Sequence, residues 1–386
     1  SGYTWNVAGV GLPNVAIYDM MINSNALIVA THGRGVWSLP LLSSVTFMVN
    51  YSVQGGGSGY TAPTLTYVSA GQQRNTTLSS TAAPLVLDYG SSWSLTNPLS
   101  GATATHRFAA SQAASGTALS SQTIIFVYYN QYFLMFNYTL VGGGTGFTPP
   151  TVQFSQFGSS TSANAGSSAW ADAATTYTYP TTLLGSSASE RWTTGTPTGT
   201  ITNSVTLFPN FFHQYLVNLS YTLVGGGGPT PPTILSTALG SPFTESVTPN
   251  PISYWLDANG PYSVTNPLQG STRTERWHTF SATGSIISSG PFILTYYHQY
   301  PLTVKGANIG EQWFTVGRVA NFNITGAYDR VGGTGSRLVS YTVDGGGNTT
   351  VPLTASVVTI GVPMGSPHTL TLNSVKQYQV NLQGST

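Results

Sequence analysis

Apolar and polar residues alternate with a period of two along many short stretches of this chain. Clear examples are Val49–Val53, Tyr138–Val141 and Ser340–Val343, where β-branched and aromatic residues are frequent. Clusters of Gly, Pro, Asn and Ser interrupt the alternation about every ten residues, as turns do between strands. No window holds a helical period with capping residues at its ends. The pattern predicts an all-β fold made of short strands with one buried face.

The sequence repeats with a period of about 85 residues, the size of an immunoglobulin-like sandwich. Each of three repeats opens with a strand that runs into three glycines, at Gly55–Gly57, Gly142–Gly144 and Gly225–Gly227. Each closes on aromatic-x-Gln-Tyr, at Tyr129–Tyr132, Phe212–Tyr215 and Tyr297–Tyr300, with a weaker ending at Lys376-Gln377-Tyr378. The glycine runs indicate turns with positive φ. A phosphate-binding loop would need a following Lys-Ser or Lys-Thr and a helix, and neither is present.

The repeat boundaries predict tandem immunoglobulin-like β-sandwich domains arranged as a rod. The predicted segments are an N-terminal strand segment, 1–42, three sandwiches, 43–132, 133–215 and 216–300, and a divergent fourth sandwich, 301–386. Almost no linker residues separate the repeats, so neighbouring sandwiches should abut. The most apolar stretch, Ile124–Val141, is interrupted by Asn130, Gln131 and Asn137. We interpret it as two successive strands across a boundary rather than as a membrane span.

An aspartate and an arginine recur at the same interval in the first three repeats. The pairs are Asp88 with Arg107, Asp172 with Arg191, and Asp257 with Arg276. Because the chain is poor in charge, we predict a structural ion pair that joins two strands inside each sandwich and fixes their register. A binding site or catalytic dyad in each repeat is the alternative. It is weakened because His106 stands where later repeats have Glu190 and Glu275, so no general acid is repeated.

Charge and cysteine content restrict the function further. Charged residues are only 5% of the 386 residues, against about 25% in ordinary globular proteins, and the net charge is +1. This balance gives no electrostatic basis for binding nucleic acid or an anionic membrane. The absence of cysteine excludes disulfides, thiolate metal sites and a cysteine nucleophile. A surface so poor in charge favours a secreted, extracellular protein hydrated by hydroxyl and amide groups and by attached glycans.

Candidate catalytic and metal-binding residues form no recognisable site. The six histidines are His32, His106, His213, His278, His298 and His368. None lies at metal-ligand spacing, and no Gly-x-Ser-x-Gly sequence is followed by an acid and a histidine. Asp329 and Asp344 occur in glycine-rich turns, but a regular array of calcium ligands is missing. We therefore predict no catalytic residue, no metal and no cofactor, and a protein that is not an enzyme.

Six Asn-x-Ser/Thr sequences are candidate acceptors for N-linked glycans. They are Asn50, Asn75, Asn137, Asn218, Asn323 and Asn348. Asn50 and Asn137 occupy the same repeat position, and Asn218 is shifted by two residues, which keeps it on the same face of a strand. We predict glycosylation, foremost at these three residues, because such acceptors mark surface positions in secreted chains.

Two stretches resemble known families. Residues 11–37 include Leu-Pro-Asn-Val-Ala-Ile-Tyr-Asp and Ala-Thr-His-Gly-Arg-Gly-Val-Trp, and they resemble the closing blade of a sialidase-type (Asp-box) β-propeller. The other blades are absent, so the resemblance implies an orphan hairpin whose edges need a partner.

The repeats from about residue 45 resemble β-sandwich modules of secreted and surface proteins of archaea, including regions appended to thermopsin-like proteases. The shared sequences are Tyr-Thr-Leu-Val-Gly-Gly-Gly, Thr-Asn-Pro-Leu-x-Gly, Glu-Arg-Trp and Tyr-Tyr-His-Gln-Tyr. The second repeat departs from them, with Thr181-Thr182-Leu183 in place of Thr-Asn-Pro-Leu. The resemblance implies a cell-surface or filament role, and an acid, hot habitat.

These observations together predict a structural subunit of an extracellular archaeal assembly. A filament is favoured, in which copies of the chain polymerise by donor-strand addition of residues 1–42 to the fourth sandwich of the neighbouring subunit. The segment could instead fold back on residues 43–132 of its own chain. An S-layer or stalk component is an alternative assembly. An adhesin or carbohydrate-binding module cut from a larger propeller-containing protein is an alternative of another class.

Overall fold

The computed structural model describes residues 14–23, 26–41, 43–378 and 380. All regular secondary structure in these ranges is β-strand, as the alternation predicted. Within the same ranges, no helix has the length and apolarity needed to cross a membrane. The N-terminal strands are β1 (Ile17–Asn23), β2 (Ala26–Thr31) and β3 (Gly35–Pro40).

The remaining strands follow the repeats along the chain. Those of the first repeat are β4 (Ser44–Gln54), β5 (Thr64–Ser69), β6 (Gln72–Thr77), β7 (Ala83–Asp88), β8 (Ser92–Leu95), β9 (His106–Ala110), β10 (Ser115–Thr117) and β11 (Gln122–Phe136). Those of the second are β12 (Thr139–Val141), β13 (Thr151–Gln156), β14 (Ser159–Asn164), β15 (Ser168–Asp172), β16 (Thr176–Thr178), β17 (Glu190–Thr193), β18 (Thr198–Thr200) and β19 (Thr206–Leu207).

The third repeat contains β20 (Asn210–Val224), β21 (Thr233–Ala238), β22 (Ser241–Ser246), β23 (Ile252–Asp257), β24 (Pro261–Val264), β25 (Arg276–His278) and β26 (Thr283–Ser285). The fourth contains β27 (Gly290–Lys305), β28 (Gly310–Thr315), β29 (Val319–Thr325), β30 (Ala327–Val331), β31 (Thr334–Val343), β32 (Thr349–Thr350), β33 (Val357–Pro363) and β34 (His368–Tyr378).

Contacts within the chain define two compact units. The first comprises the described part of 1–138 together with 149–180 and 196–209, and the second comprises 139–148, 181–195 and the described part of 210–386. The first unit holds the sheets β1-β2-β3, β10-β8-β5-β6, β14-β13-β16-β18 and β15-β11-β4-β7, with β9 and β19 also paired to β11. The second holds β22-β21-β24-β26, β29-β33 and a large sheet built on β12-β20-β27-β34-β31-β30.

Paired sheets enclose apolar cores, because alternate residues of each strand point inward. The first repeat buries residues of both its sheets in one cluster, which includes Phe47, Leu65, Trp93, Phe126 and Tyr128. The third repeat has equivalent buried clusters, and the fourth packs β29 and β33 against β27, β31 and β34. The predicted β-sandwich class is therefore confirmed.

The predicted repeat boundaries fall inside long strands rather than in loops. The boundaries after Tyr132, Tyr215 and Tyr300 lie within β11, β20 and β27, which are 15, 15 and 16 residues long. Each of these strands closes one repeat and opens the next. The two successive strands predicted between Ile124 and Val141 are present as β11 and β12, but β11 crosses the boundary after Tyr132 and the break between the strands falls at 137–138.

The described part of the N-terminal segment forms a three-stranded antiparallel sheet rather than a hairpin. β2 lies between β1 and β3 and pairs with both. The predicted turns in the glycine runs are confirmed, because φ is positive throughout Gly55–Gly57, Gly142–Gly144 and Gly225–Gly227.

Candidate functional site

Each repeat-matched aspartate caps a tight hairpin turn of its own repeat. At the end of β7, the Asp88 carboxylate accepts hydrogen bonds from the backbone N–H groups of Ala70 (2.8 Å) and Gly71 (2.7 Å), which lie in the β5–β6 turn. Both turn residues have positive φ, as two-residue hairpin turns require. Asp172 binds Phe157 and Gly158 in the same way, and Asp257 binds Leu239 and Gly240. Each carboxylate thus ties the hairpin of one sheet to the opposite sheet.

A buried glutamine connects this carboxylate to the arginine of the preceding repeat. Gln131, in the middle of β11, donates from Nε2 to Oδ1 of Asp172 (2.9 Å) and accepts at Oε1 from Nε of Arg107 (2.9 Å). The next junction has the same arrangement, in which Gln214 donates to Asp257 (2.9 Å) and accepts from Arg191 (2.8 and 3.0 Å). Both glutamines are fully buried. The Arg–Gln–Asp chain, here named the junction lock, spans two consecutive repeats.

The register of the strands explains why the lock links different repeats. Gln131 lies opposite Arg107 of β9 in one ladder and opposite Asp172 of β15 in another. Asp88 lies on β7, which is separated from β9 by β4 and β11.

The predicted ion pairs within repeats were therefore wrong for Asp88 with Arg107. They were also wrong for Asp257 with Arg276, because Asp257 caps its turn and binds Gln214 while Arg276 binds Gln299. Asp172 likewise caps its own turn and binds Gln131, and Arg191 binds Gln214.

An aromatic platform holds each arginine from the side of the following repeat. The guanidinium carbon of Arg107 lies 4.4 Å from the ring centroid of Trp170, and that of Arg191 lies 4.2 Å from Trp255. These distances are within the range of cation–π attraction. Each Trp stands two residues before the Asp of the lock, so one strand supplies both groups.

Burial at the junction affects the arginines without neutralising them. Desolvation lowers the pKa of Arg107 and Arg191, and it also lowers the pKa of Arg276, where Glu311 partly opposes the effect. Guanidinium groups nevertheless stay protonated near neutral pH. The lock therefore holds a permanent positive charge between a ring face and an amide oxygen.

The third junction keeps half of this arrangement. Arg276 donates to Gln299 (2.8 Å) and stacks over Trp313 at 4.4 Å, but Thr315 lies opposite Gln299 where the earlier junctions have Asp. At the other end of the chain, Ser44 lies opposite Asp88, where a glutamine would be expected. In the part of the chain that the structure describes, the complete lock is thus found at the first two junctions.

A second polar pair lies beside the lock, and the residue types that form it differ between repeats. In the first repeat His106 Nε2 contacts Asn130 Oδ1 at 2.7 Å. In the second and third repeats a glutamate replaces that His and a His replaces that Asn, giving Glu190–His213 and Glu275–His298 contacts of 2.7 Å. The imidazoles of His213 and His298 stack on Trp192 and Trp277.

These side chains also close the glycine runs. Nδ1 of His298 contacts the carbonyl oxygen of Gly225 at 3.1 Å, and Nε1 of Trp277 donates to that of Gly226 at 2.8 Å. In the second repeat, Trp192 donates to the Gly143 carbonyl in the same way. These histidine, glutamate and tryptophan side chains are therefore engaged in fixing loops and strands.

Sequence reasoning missed the central residues of the junction, although signals for them exist. The glutamine belongs to the closing sequence that defines every repeat, and the Trp precedes the Asp or Thr of the lock by two residues at Trp170, Trp255 and Trp313. Among the described residues, no group of three or more His, Asp or Glu side chains could hold a metal ion. The side chain of Asp329 lies outside the described part.

The glycan acceptors differ in exposure. Asn75, Asn137, Asn323 and Asn348 are exposed, whereas Asn50 and Asn218 are half-buried. Nδ2 of Asn50, the atom to which a sugar would attach, donates to the Ser80 carbonyl at 3.2 Å. Asn218 Oδ1 accepts a hydrogen bond from Ser253 at 2.7 Å.

No family model and no curated protein matches this chain. Among solved structures, it is similar to the pilus adhesin SpaC of Lactobacillus rhamnosus GG, with 10% identity, a TM-score of 0.29, and coverage of 93% of this chain and 47% of SpaC. It is similar to the Bacillus anthracis TIE protein, with 11% identity, a TM-score of 0.20, and coverage of 70% and 57%. It is also similar to BcpA, the major pilin subunit of Bacillus cereus, with 6% identity, a TM-score of 0.17, and coverage of 66% and 98%. The chain therefore spans about half the length of SpaC and of the TIE protein.

Proposed function

We propose that this chain is a structural subunit of an extracellular, cell-surface assembly, in which copies of the chain form a filament. The observation that carries the proposal is the construction of the junctions. Repeats share single continuous strands, and the buried polar groups described there are bonded to one another across the boundary. Such junctions constrain the position of one repeat relative to the next, which a structural subunit requires. We retain an archaeal origin as part of the proposal, on the sequence resemblance alone.

The N-terminal sheet supplies the surface that we propose for assembly. Every residue of β1 is exposed, and its large apolar side chains are 44 to 70% exposed at Ile17, Tyr18, Met20, Met21 and Ile22. These side chains occupy both faces of the strand, and β1 pairs only with β2 among the described strands. An edge strand of this kind associates readily with another strand.

The fourth repeat presents an edge that could receive it. Residues 372–378 of β34 pair with β31 on one side, whereas the ladder with β27 covers only His368 to Thr371. At the equivalent edge of β11, β15 pairs with residues 131–135. Residues 377–382 moreover repeat the Gln-Tyr-x-Val-Asn-Leu of 214–219. We propose that a strand of a neighbouring subunit completes the β34 edge by addition.

The test compares filament formation by the full chain with that of a variant in which Met20→Glu and Ile22→Glu place charges on one face of β1. We expect a folded protein that no longer polymerises, as judged by circular dichroism, sedimentation and electron microscopy. The matched control is Phe280→Glu, a substitution at a 74% exposed position of the third repeat, and it should polymerise normally. Deletion of residues 1–40 should act like the double variant. Filaments of normal length from either would contradict the proposal, and a monomeric wild-type chain that binds sugar would favour an adhesin.

A further inference from the structure

The opening and closing strands of the first, third and fourth repeats are parallel neighbours. In the first repeat β4 pairs with β11 over eight residue pairs, from Phe47–Gln122 to Gln54–Tyr129. In the third repeat β20 pairs with β27 over eight residue pairs, from Val217–Gly290 to Val224–Tyr297. Parallel neighbours need a long crossover between them, and here the rest of the sandwich provides it.

This arrangement determines how the repeat responds to tension. The chain enters at the beginning of the first strand and leaves at the end of the last strand, so that a pull on both ends slides the two strands past each other. The hydrogen bonds of a parallel ladder are evenly spaced, and sliding loads all of them together. A pull on two strands from the same end would instead break the bonds one after another.

The two shorter ladders lie in the second and fourth repeats. In the second repeat, β11 and β19 form two parallel pairs, and β12 and β20 form three. The fourth has four parallel pairs between β27 and β34. Each hydrogen bond adds a similar small increment to the stability of a ladder. The number of residue pairs loaded together therefore sets the expected order of the forces needed to separate the strands.

Side chains support the long ladders on one face. Phe47 and Phe126 are buried on the two strands of the first repeat, and Val217 and Leu294 are their counterparts in the third. The hydroxyl groups of Tyr128 and Tyr296 donate to the carbonyl oxygens of Thr96 and Thr265, which anchors each closing strand to a neighbouring loop. The closing strand then continues without a loop into the next repeat. There its central glutamine is hydrogen-bonded to an arginine on one side and to an aspartate on the other, as Gln131 is to Arg107 and Asp172.

We propose that the chain is a tension-bearing element whose first and third repeats are shear clamps. It should unfold under load in steps of about 30 nm, one for each repeat of about 85 residues. The repeats with eight pairs should resist about twice the force of the repeats with four or five. The proposal deepens the structural function proposed above but is measured on single molecules, so that a failure of filament formation would leave it standing.

Single-molecule force spectroscopy of the full chain, pulled from its two ends, tests this order. The chain has no cysteine, so an introduced pair forms a unique crosslink. Ser52→Cys with Val127→Cys, and Thr222→Cys with Thr295→Cys, place thiols at directly opposed positions of the two long ladders. When oxidised, each pair should remove one of the two high-force steps and leave the low-force steps unchanged. Loss of a low-force step, or four steps of equal force in the wild-type chain, would overturn the proposal.

A change of pulling direction provides a control that leaves the core unaltered. Ser43→Cys and Ser120→Cys place attachment points on exposed residues at the same end of the β4–β11 ladder. Pulling between them should open the first repeat bond by bond, at less than half the force seen with end-to-end pulling. An equal force in both directions would show that the parallel ladder is not the clamp.

Discussion

At the scale of single residues, the junction depends on an amide in a position where an apolar side chain would otherwise pack. An amide group both donates and accepts, so it can join a cation to a carboxylate that do not touch each other. Gln131 and Gln214 do this while they are fully buried, and every lock partner they have is charged. Hydrogen bonds to charged groups contribute more than those between neutral groups.

Gln214→Ala should therefore destabilise the second junction by about 2–3 kcal/mol, because it removes the buried hydrogen bonds that Gln214 makes to the charged groups of Asp257 and Arg191. Urea unfolding followed by fluorescence measures the loss. Gln269→Ala, at an exposed position of the third repeat, is the control and should change stability by less than about 0.5 kcal/mol. Equal stability of the two variants would show that the lock is not a significant contributor.

A glycine on β10, an edge strand of the first repeat, is required by the ring that covers it. Gly116 lies opposite Trp93, and a Cβ atom at Gly116 would stand 2.8 Å from the indole ring. Trp93 is buried and packs between Phe47 and Phe126, so it has little room to move. Gly116→Ala should cost about 1–3 kcal/mol of unfolding free energy. Gly228→Ala, where no atom lies within 4 Å of the new methyl group, should not lower stability by a comparable amount in the same thermal unfolding assay.

Two buried tyrosines should make the protein sensitive to alkali. Burial raises the pKa of Tyr128 and Tyr296 above the ordinary value of 10.0. The unfolded chain then loses these protons first, so their contribution to stability is intact below about pH 10 and is lost as the pH rises further. Each can contribute a slope of up to about 1.4 kcal/mol per pH unit. Tyr296→Phe should reduce the slope measured between pH 10 and 12 by about that amount, and an unchanged slope would contradict the assignment.

At the scale of elements, the strands that close each repeat carry a polar pair whose two members change together. His106–Asn130 in the first repeat corresponds to Glu275–His298 in the third. In the first repeat the pair bridges β9 and β11, and in the third it joins the residue that precedes β25 to β27. The position thus requires complementary hydrogen-bonding groups rather than a particular residue.

Transferring the first pair into the third repeat tests this complementarity. Glu275→His and His298→Asn should each destabilise the protein, and the double variant should be more stable than the sum of the single losses by at least about 1 kcal/mol. A double-mutant cycle from urea unfolding gives this coupling free energy. Strictly additive losses would mean that the two side chains do not interact across the strands.

At the scale of the whole molecule, the low charge leaves hydration of the surface to neutral polar groups, and we predict that attached glycans add to it. Protein from its native source should have an intact mass above that of the polypeptide, with sugar on the exposed acceptors Asn75, Asn137, Asn323 and Asn348. Occupancy should be lowest at Asn50, because its amide nitrogen already donates within the fold. A variant with all six acceptor Asn residues changed to Gln should return to the polypeptide mass. Native material that already has the polypeptide mass would contradict the prediction.

The sequence alone determined the features of this protein that depend on neighbouring residues. Alternation with a period of two predicted the strands, the glycine runs predicted turns with positive φ, and the recurring motifs predicted the repeat. Each of these is a property of a few consecutive residues, or of their recurrence.

Only the tertiary structure decided which side chains meet. The constant interval between Asp88 and Arg107 suggested a contact within one repeat, yet an equal interval in every repeat is also compatible with contact between repeats. The choice depends on the register of strands far apart in sequence, which places Gln131 between Arg107 and Asp172. The boundaries were decided in the same way, because a strand long enough to pair with both repeats leaves no break in the local pattern to mark where one sandwich ends and the next begins.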